Sequence, residues 1–146
     1  HQIMTRIDFY FNVTNKPQLV SELVASALRK HRQVTIFESN ADKASKVSEH
    51  LWQNKSENFL PNVLVDHALA ADTPVVVHWQ ENQLLQDDIL INLTANEPVF
   101  FGRFTQLVEL VGEDEQDKVL ARARYKFYRD RGYEIKNIDF AQYKSE

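Results

Sequence analysis

The sequence predicts an α/β fold, a three-layer α/β/α arrangement around a mainly parallel central sheet. Segments with strand and helix patterns alternate along the chain, the order in which crossover helices connect parallel strands. Two runs, Val75–Val77 and Ile89–Ile91, are continuously apolar, as in central strands that are covered on both faces. With 146 residues, of which 43% are hydrophobic, the chain is long enough to bury a core.

The first half of the chain predicts two strands and two helices. Residues 7–11 and 33–37 are rich in strand formers. Pro17 opens a helix that runs to about Lys30, with apolar residues on one face: Leu19, Val20, Leu23, Val24, Ala27 and Leu28. Ser39 and Asn40 are candidate caps of a second helix over about 42–53. Its inner face comprises Ala44, Val47, Ser48 and Leu51.

The second half predicts three further strands and a final helix. Residues 74–79 and 88–93 form two of the strands, and the composition of 104–111 favours a strand slightly over a helix. Acidic residues after Gly112 suit the start of a helix that ends near Arg131, with Gly132 as its stop. Residues 134–146 show no firm pattern.

Composition limits the number of domains, the location and the kinds of binding that the chain can have. We interpret residues 1–3, which precede Met4, as left from expression, and expect residues 4–146 to form a single α/β domain. The chain has no cysteine, which excludes disulfides and thiolate sites and suits a cytoplasmic location. No apolar run is long enough to span a membrane. The net charge of -4 argues against sequence-independent DNA binding, because that binding needs phosphate neutralisation.

The sequence lacks the patterns of nucleotide, metal and hydrolase sites. The first strand–helix turn, residues 12–17, contains no glycine, so it cannot form a phosphate loop. No serine lies in a G-x-S-x-G elbow, and the histidines lack metal-ligand spacing. We therefore expect no catalytic residue, metal or cofactor. His78 suits a hydrogen-bonded strand position, while Asp87 and Asp88 either flank a site or belong to a solvated turn.

The final helix carries a local excess of positive charge. Residues 118–131 contain six basic residues and one acidic residue, so the rest of the chain has a charge of -9. At about 100° per residue, an apolar arc predicts a buried stripe of Val119, Leu120, Ala123 and Phe127. A separate arc predicts an exposed basic ridge of Lys118, Arg122, Tyr125 and Arg129.

The basic ridge suits a short acidic peptide that ends in a hydrophobic residue and a free carboxylate. Arginine can bind a carboxylate in a fork, and Tyr125 can form one wall of an apolar pocket. The alternative is an ordinary solvated helix face with extended Arg and Lys side chains. The residues alone leave both interpretations open.

Four motifs in order resemble the chi subunit family of bacterial DNA polymerase III. They are Leu51-Trp52, residues 57–62 (Glu-Asn-Phe-Leu-Pro-Asn), residues 88–93 (Asp-Ile-Leu-Ile-Asn-Leu) and the Ala121–Gly132 segment. The chain length and Phe9-Tyr10-Phe11 agree with the family as well. The resemblance implies an α/β fold similar to nucleotide-binding domains but without the phosphate loop. It also implies a non-catalytic, cytoplasmic adaptor of the clamp loader in DNA replication.

The same resemblance implies two partners, a psi subunit and the acidic C-terminal tail of single-stranded DNA-binding protein, with DNA bound only indirectly. The residues implied for the tail are Lys118, Arg122, Tyr125, Arg129 and Gly132, where glycine would allow close backbone approach. Those implied for psi are Trp52, Phe59, Leu60, Pro61 and Leu64. Trp52 and Phe59 have the alternative role of fixing the second helix to the core.

Two departures from the family pattern concern the psi surface. Asn62 stands where many relatives have histidine, and residues 81–86 are rich in glutamine rather than basic. A direct DNA-binding module and a degenerate nucleotide-binding domain remain as alternative functions.

Overall fold

The computed structural model describes residues 4–53, 63–64, 73–80 and 86–140. In chain order its elements are β1 (Arg6–Val13), α1 (Lys16–Arg29), β2 (Val34–Phe37), α2 (Ala41–Trp52), β3 (Val63–Leu64), β4 (Val75–His78), β5 (Ile89–Asn92), β6 (Gln106–Gly112), α3 (Glu115–Asp130) and β7 (Ile135–Asp139). A short 3-10 turn covers Phe101–Arg103. Every strand and helix that the sequence predicted is present, including 104–111 as a strand.

The seven described strands form one sheet in the order β3-β4-β2-β5-β6-β1-β7. Each neighbouring pair runs parallel. One core on one face of the sheet contains residues of α1 and α2. A second core contains residues of α3 and the Phe101–Arg103 turn. The predicted three-layer arrangement with a mainly parallel sheet is therefore confirmed.

The start of α1 lies where a phosphate loop would stand in a nucleotide-binding domain. Asn15 is its N-cap, and the side-chain oxygen of Asn15 accepts a hydrogen bond from the Gln18 N–H at 3.1 Å. A donor that a phosphate would use is thus bound by the chain itself. The predicted apolar face packs inward, since Leu19, Val20, Val24 and Ala27 are buried.

Strand β7 lies at one edge of the sheet and was not predicted. Its central residues Lys136 and Asn137 are exposed, so it lacks the apolar alternation by which a strand is recognised in sequence. Parallel pairing with β1, from Ile7–Ile135 to Phe11–Asp139, holds it in place. Charged and polar residues are common on edge strands because they discourage pairing with other chains.

Two smaller predictions have different outcomes. His78 is buried, and its Nδ1 accepts a hydrogen bond from the Gln80 N–H at 3.2 Å, so its role as a bonded strand histidine is confirmed. Asp87 is exposed, as a solvated turn predicts, whereas the partly exposed Asp88 carboxylate is bound by the Arg32 guanidinium and the Gln33 N–H. Although burial alone would raise the pKa of Asp88, these bonds hold it below its usual value.

Candidate functional site

The two ends of α3 are fixed by local interactions that the sequence encodes. Asp114 caps the helix through the Asp117 N–H, and the Asp117 carboxylate in turn accepts from the Gly112 N–H at 2.7 Å. Lys16 lies 2.8 Å from the same carboxylate, which joins the starts of α1 and α3. At the other end Gly132 has a φ of 84°, a left-handed conformation that suits glycine after a helix.

The face that α3 buries differs from the predicted one. Val119 is 52% exposed, Ala123 is also exposed, and Leu120 and Phe127 are only partly buried. The buried residues are Ala121, Arg124 and Tyr128. The predicted stripe of Val119, Leu120, Ala123 and Phe127 is therefore wrong, because the helix turns an arginine toward the sheet.

Arg124 is buried because it belongs to a polar network centred on Glu109. Glu109 is 0% exposed and Arg124 is 3% exposed, and the Arg124 Nε donates to Glu109 Oε1 at 2.9 Å. The Tyr128 hydroxyl and the Asn92 amide donate to Glu109 Oε2 at 2.6 and 3.0 Å. Arg124 Nη1 also donates to the Ala95 carbonyl at 2.9 Å. The network joins α3 to β5, β6 and the segment after β5.

Burial governs the protonation of this network. Loss of water raises the pKa of Glu109, and the Arg124 charge and the Tyr128 hydroxyl oppose that rise. Burial and the neighbouring Glu109 carboxylate raise the pKa of Tyr128 far above its usual value. Tyr128 thus remains a hydrogen-bond donor, and these donors compensate the cost of burying Glu109.

The basic ridge lines one side of a groove. Lys118, Arg122, Tyr125 and Arg129 line a cavity of about 720 Å³, joined by Lys126 of the same helix. Apolar residues that line it are Phe11, Val111 and Ala121, and β1 and β7 contribute Asn12, Asn137 and Asp139. The structure therefore brings together four of the five residues predicted for the tail. Gly132 is the exception, since it does not line this groove.

The aromatic rings in and under the groove are fixed by stacking. The Phe9 ring lies 5.8 Å from Phe11 and 5.1 Å from Tyr125, between ring centroids. The Asn137 amide donates to the Tyr125 hydroxyl at 3.2 Å. Tyr125 therefore presents a positioned ring to an apolar group rather than a freely rotating side chain.

The cations of the groove are available to a ligand. The Arg122 side chain is 67% exposed, and its Nη2 lies 3.6 Å from Oε2 of Glu115, whose side chain is 77% exposed. Arg129 and Lys126 both approach Asp130, at 3.6 and 2.6 Å. Such exposed pairs contribute little, so a carboxylate ligand can replace them at small cost. The groove can thus bind acidic groups beside an apolar surface.

The structure gives Gly132 a conformational role, and its predicted close approach to a bound tail stays a prediction. A Cβ added there would meet no atom of the described chain within 4 Å. Its left-handed φ alone makes a side chain unfavourable. The chain's own packing therefore gives no close backbone approach at Gly132.

The residues predicted for psi are only partly described. Leu64 lies in β3, the edge strand opposite β7, and packs partly buried against the core under α1 and α2. Trp52 is the last residue of α2, and its side chain is not among the parts described. Phe59, Leu60 and Pro61 lie outside the described residues.

Sequence reasoning missed the groove residues outside α3. Phe11 was recognised as a strand residue, but only the observed order, with β1 between β6 and β7, places it beside α3. Asn137 and Asp139 belong to the unpredicted β7 and gave no signal. Among the described residues, no group of His, Asp and Glu is arranged to hold a metal ion, and no described helix is long and apolar enough to cross a membrane.

Comparison with known proteins assigns the family. The sequence model described as DNA polymerase III chi subunit, HolC, matches residues 4–136. The chain belongs to this chi subunit family. Chi subunits are accessory subunits of DNA polymerase III, so membership assigns the chain to DNA replication.

Three relatives, each named DNA polymerase III subunit chi, are similar over most of their length. The Pseudomonas aeruginosa protein is 32% identical over 138 residues, covering 92% of this chain and 96% of its own. The Haemophilus influenzae protein is 34% identical over 119 residues, covering 81% of this chain and 83% of its own. The Escherichia coli protein is also 34% identical over 119 residues, covering 81% of each chain. These matches confirm the resemblance deduced from the four motifs.

Proposed function

We propose that this chi-family chain is a non-catalytic adaptor of the DNA polymerase III clamp-loader complex. One surface binds the psi subunit, and another binds the acidic C-terminal tail of single-stranded DNA-binding protein. The observation that carries the proposal is the shared groove of Lys118, Arg122, Tyr125 and Arg129. It combines exposed cations with an apolar floor, as an acidic tail with a hydrophobic end requires.

Each residue predicted for the tail has a distinct role. Arg122 pairs with the terminal carboxylate or an adjacent acidic side chain, since a guanidinium donates two parallel hydrogen bonds to a carboxylate. Lys118 and Arg129 contribute positive potential along the helix. Tyr125 contacts the terminal phenylalanine, with Phe11 beneath it. Gly132 lies beyond the end of the ridge and keeps the chain reversal after α3 compact.

The psi surface comprises Trp52, Phe59, Leu60, Pro61 and Leu64. An apolar and aromatic cluster of this kind is typical of the centre of a protein interface. Leu64 in β3 and the groove beside β7 lie at opposite edges of the seven-stranded sheet. At about 4.8 Å per strand, they are separated by roughly 29 Å, so both partners can bind at once.

Under this proposal the chain contacts DNA only indirectly. A net charge of -4 opposes an extended phosphate contact, and the local excess of positive charge is confined to residues 118–131. A direct DNA-binding module would bind a bare oligonucleotide with a steep dependence on salt. The adaptor instead requires the protein that coats the DNA.

Calorimetric titration with a short acidic peptide ending in Pro-Phe tests tail binding. The free-acid peptide is expected to bind, and its C-terminally amidated twin to bind more weakly, because amidation removes the terminal charge. Equal binding by both peptides would show that the groove does not recognise the terminal carboxylate. Absence of binding by both would show that the ridge is an ordinary solvated helix face.

Substitution of Phe59 tests the psi surface separately. Phe59→Ala is expected to weaken psi binding at least tenfold, because a buried aromatic anchor typically contributes more than 1.4 kcal/mol. Tail binding by the same variant should be unchanged, as measured with the free-acid peptide. Loss of both activities would indicate unfolding, and unchanged psi binding would contradict the assignment.

A further inference from the structure

A second cavity, of about 480 Å³, lies between α1 and α2 on the face of the sheet opposite α3. Its polar and charged lining residues are Lys16, Glu38, Lys43, Lys46 and His50, and its apolar lining residues are Pro17, Val20, Val47, Leu51 and Leu93. We call it the α2 cavity. A cavity of this size that combines apolar walls with a few polar groups is typical of a small-molecule site.

The α2 cavity lies where the chain leaves two neighbouring strands toward opposite faces of the sheet. Glu38 directly follows β2 and Leu93 directly follows β5, and these two strands pair in parallel. The connection after β2 forms α2 in one core, whereas the connection after β5 leads to Phe101 in the other core. In open parallel sheets, ligands bind in the crevice outside the carboxyl ends of such strands. The strand order therefore places this cavity where the architecture favours a ligand.

Lysines give the α2 cavity a positive wall. Lys43 and Lys46 are exposed on α2, and neither forms an ion pair in the described part of the chain. Lys16, at the start of α1, is already bound to Asp117 at 2.8 Å. Lys43 and Lys46 are thus the lysines of the cavity that remain available to an anionic ligand.

Glu38 limits how much negative charge the cavity accepts. It is the carboxylate among the described lining residues, and its Oε1 accepts a hydrogen bond from the Ser39 N–H at 3.0 Å. Burial raises its pKa, and the Ser39 N–H and the Lys43 and Lys16 charges oppose that rise. A half-buried carboxylate repels a second negative charge placed beside it. A ligand with one anionic group, directed toward α2, therefore suits the cavity.

The apolar walls require the rest of the ligand to be apolar. Val47 and Leu93 are partly buried and pack against the core under α1 and α2, so core packing fixes their positions. Pro17 is exposed at the start of α1 and has a rigid ring. Together these side chains offer a surface of fixed shape beside the two available lysines.

We propose that the α2 cavity is a second binding site, which takes a small organic anion with one carboxylate or phosphate group on an apolar body. Lys43 and Lys46 bind the anionic group, and Pro17, Val47 and Leu93 contact the apolar body. The site differs from a phosphate loop, because side chains rather than backbone N–H groups bind the anion. The inference is independent of the proposed tail and psi surfaces.

NMR titration of the full chain with small probes tests the site. Benzoate and phenyl phosphate are expected to shift the amide signals of Lys43, Val47 and Leu93, and the tighter of the two identifies the preferred anionic group. Neutral benzamide lacks the charge, and inorganic phosphate lacks the apolar body. Each of these should bind about tenfold more weakly than the tighter organic anion.

A double variant, Lys43→Gln with Lys46→Gln, removes the two available lysines. It should weaken binding of the tighter organic anion about tenfold, because each exposed charge pair contributes up to a severalfold change. The matched control is Lys30→Gln with Lys136→Gln, two exposed positions that do not line the cavity and give the same change in net charge. Arg122→Ala, in the groove beside α3, should leave the shifts in α2 unchanged.

The outcomes separate this inference from the proposed function. Loss of binding in the Lys43 and Lys46 variant alone, with an unchanged melting temperature and unchanged binding of the free-acid Pro-Phe peptide, supports the site. Shifts confined to α3, or equally tight binding of benzamide or inorganic phosphate, overturn it. An equal loss in the control pair also overturns it, since net charge would then explain the effect. Absence of shifts with both organic anions overturns the inference and leaves the tail site to its own peptide titration.

Discussion

The helices α1 and α3 cover opposite faces of the same sheet, and α3 differs in adding a buried ion pair to its apolar contacts. Helix α1 buries Leu19, Val20, Val24 and Ala27 in an apolar core. Helix α3 buries an arginine against Glu109 and leaves Val119 half exposed. Apolar spacing locates a helix face when the hydrophobic effect holds it. Apolar spacing predicts the wrong face when a buried charged residue faces the sheet, because arginine is usually exposed and is therefore predicted to face solvent.

This difference has a consequence for the groove. With Arg124 and Tyr128 directed into the sheet, the ridge residues lie along the β7 side of α3 and share the groove with Phe11. Had the predicted stripe been buried, the ridge would occupy another side of the helix. The internal network thus determines which way the candidate binding surface points.

Removal of the buried arginine should produce the largest effect on stability. Arg124→Met leaves the Glu109 carboxylate buried without its charge partner, and we expect a loss of about 3–5 kcal/mol in the free energy of unfolding. Urea denaturation measures it. Adding Glu109→Gln to Arg124→Met removes the unpaired charge and should recover most of the loss. A loss below about 1 kcal/mol in the single variant would contradict the ion-pair account.

Truncation of the apolar face on α1 is the next largest change. Leu19 is 3% exposed, so Leu19→Ala should cost about 2–5 kcal/mol by leaving a cavity in the core. Peptide binding at the groove should survive at temperatures where the variant is folded, because α1 lies on the other face. Thermal melting and calorimetry on the same preparation check both expectations. Selective loss of peptide binding in a folded variant would contradict the expectation that a change in α1 leaves the groove beside α3 unaffected.

Substitution of Val119, an exposed residue of the wrongly predicted stripe, should have the smallest effect on the free energy of unfolding. Val119→Ser should change the free energy of unfolding by no more than about 0.5 kcal/mol, because Val119 is 52% exposed. If the stripe were buried, the same change would cost several times more. Urea denaturation beside Leu19→Ala distinguishes these outcomes directly.

The sequence predicted the elements of the fold well and the packing of α3 poorly. Capping residues and apolar runs are local signals, which is why α1 and the central strands β4 and β5 were predicted. The Glu109–Arg124 pair joins residues fifteen positions apart on the consecutive elements β6 and α3, and a buried pair of charges gives no apolar signal in the sequence. Strand β7 was missed because its exposed polar residues resemble a loop.

The ridge residues of the candidate site were predicted from the sequence, whereas the residues around them were not. Lys118, Arg122, Tyr125 and Arg129 share one arc of the helix whatever face is buried, so their grouping survived the wrong stripe. Phe11 and Asp139 reach the groove through the sheet order, which required the structure. Gly132 was correctly predicted as the helix stop, whereas its role in close approach stays a prediction.

The most direct test of the central claim compares two arginines of the same helical region. Arg122 lines the groove, whereas Arg131 stacks on the Phe127 ring outside it. In calorimetric titrations with the free-acid Pro-Phe peptide, Arg122→Ala should weaken binding by about 1–3 kcal/mol, and Arg131→Ala should leave it nearly unchanged. Equal weakening by both variants, or an unchanged dissociation constant in Arg122→Ala, would contradict the assignment of the groove as the tail site.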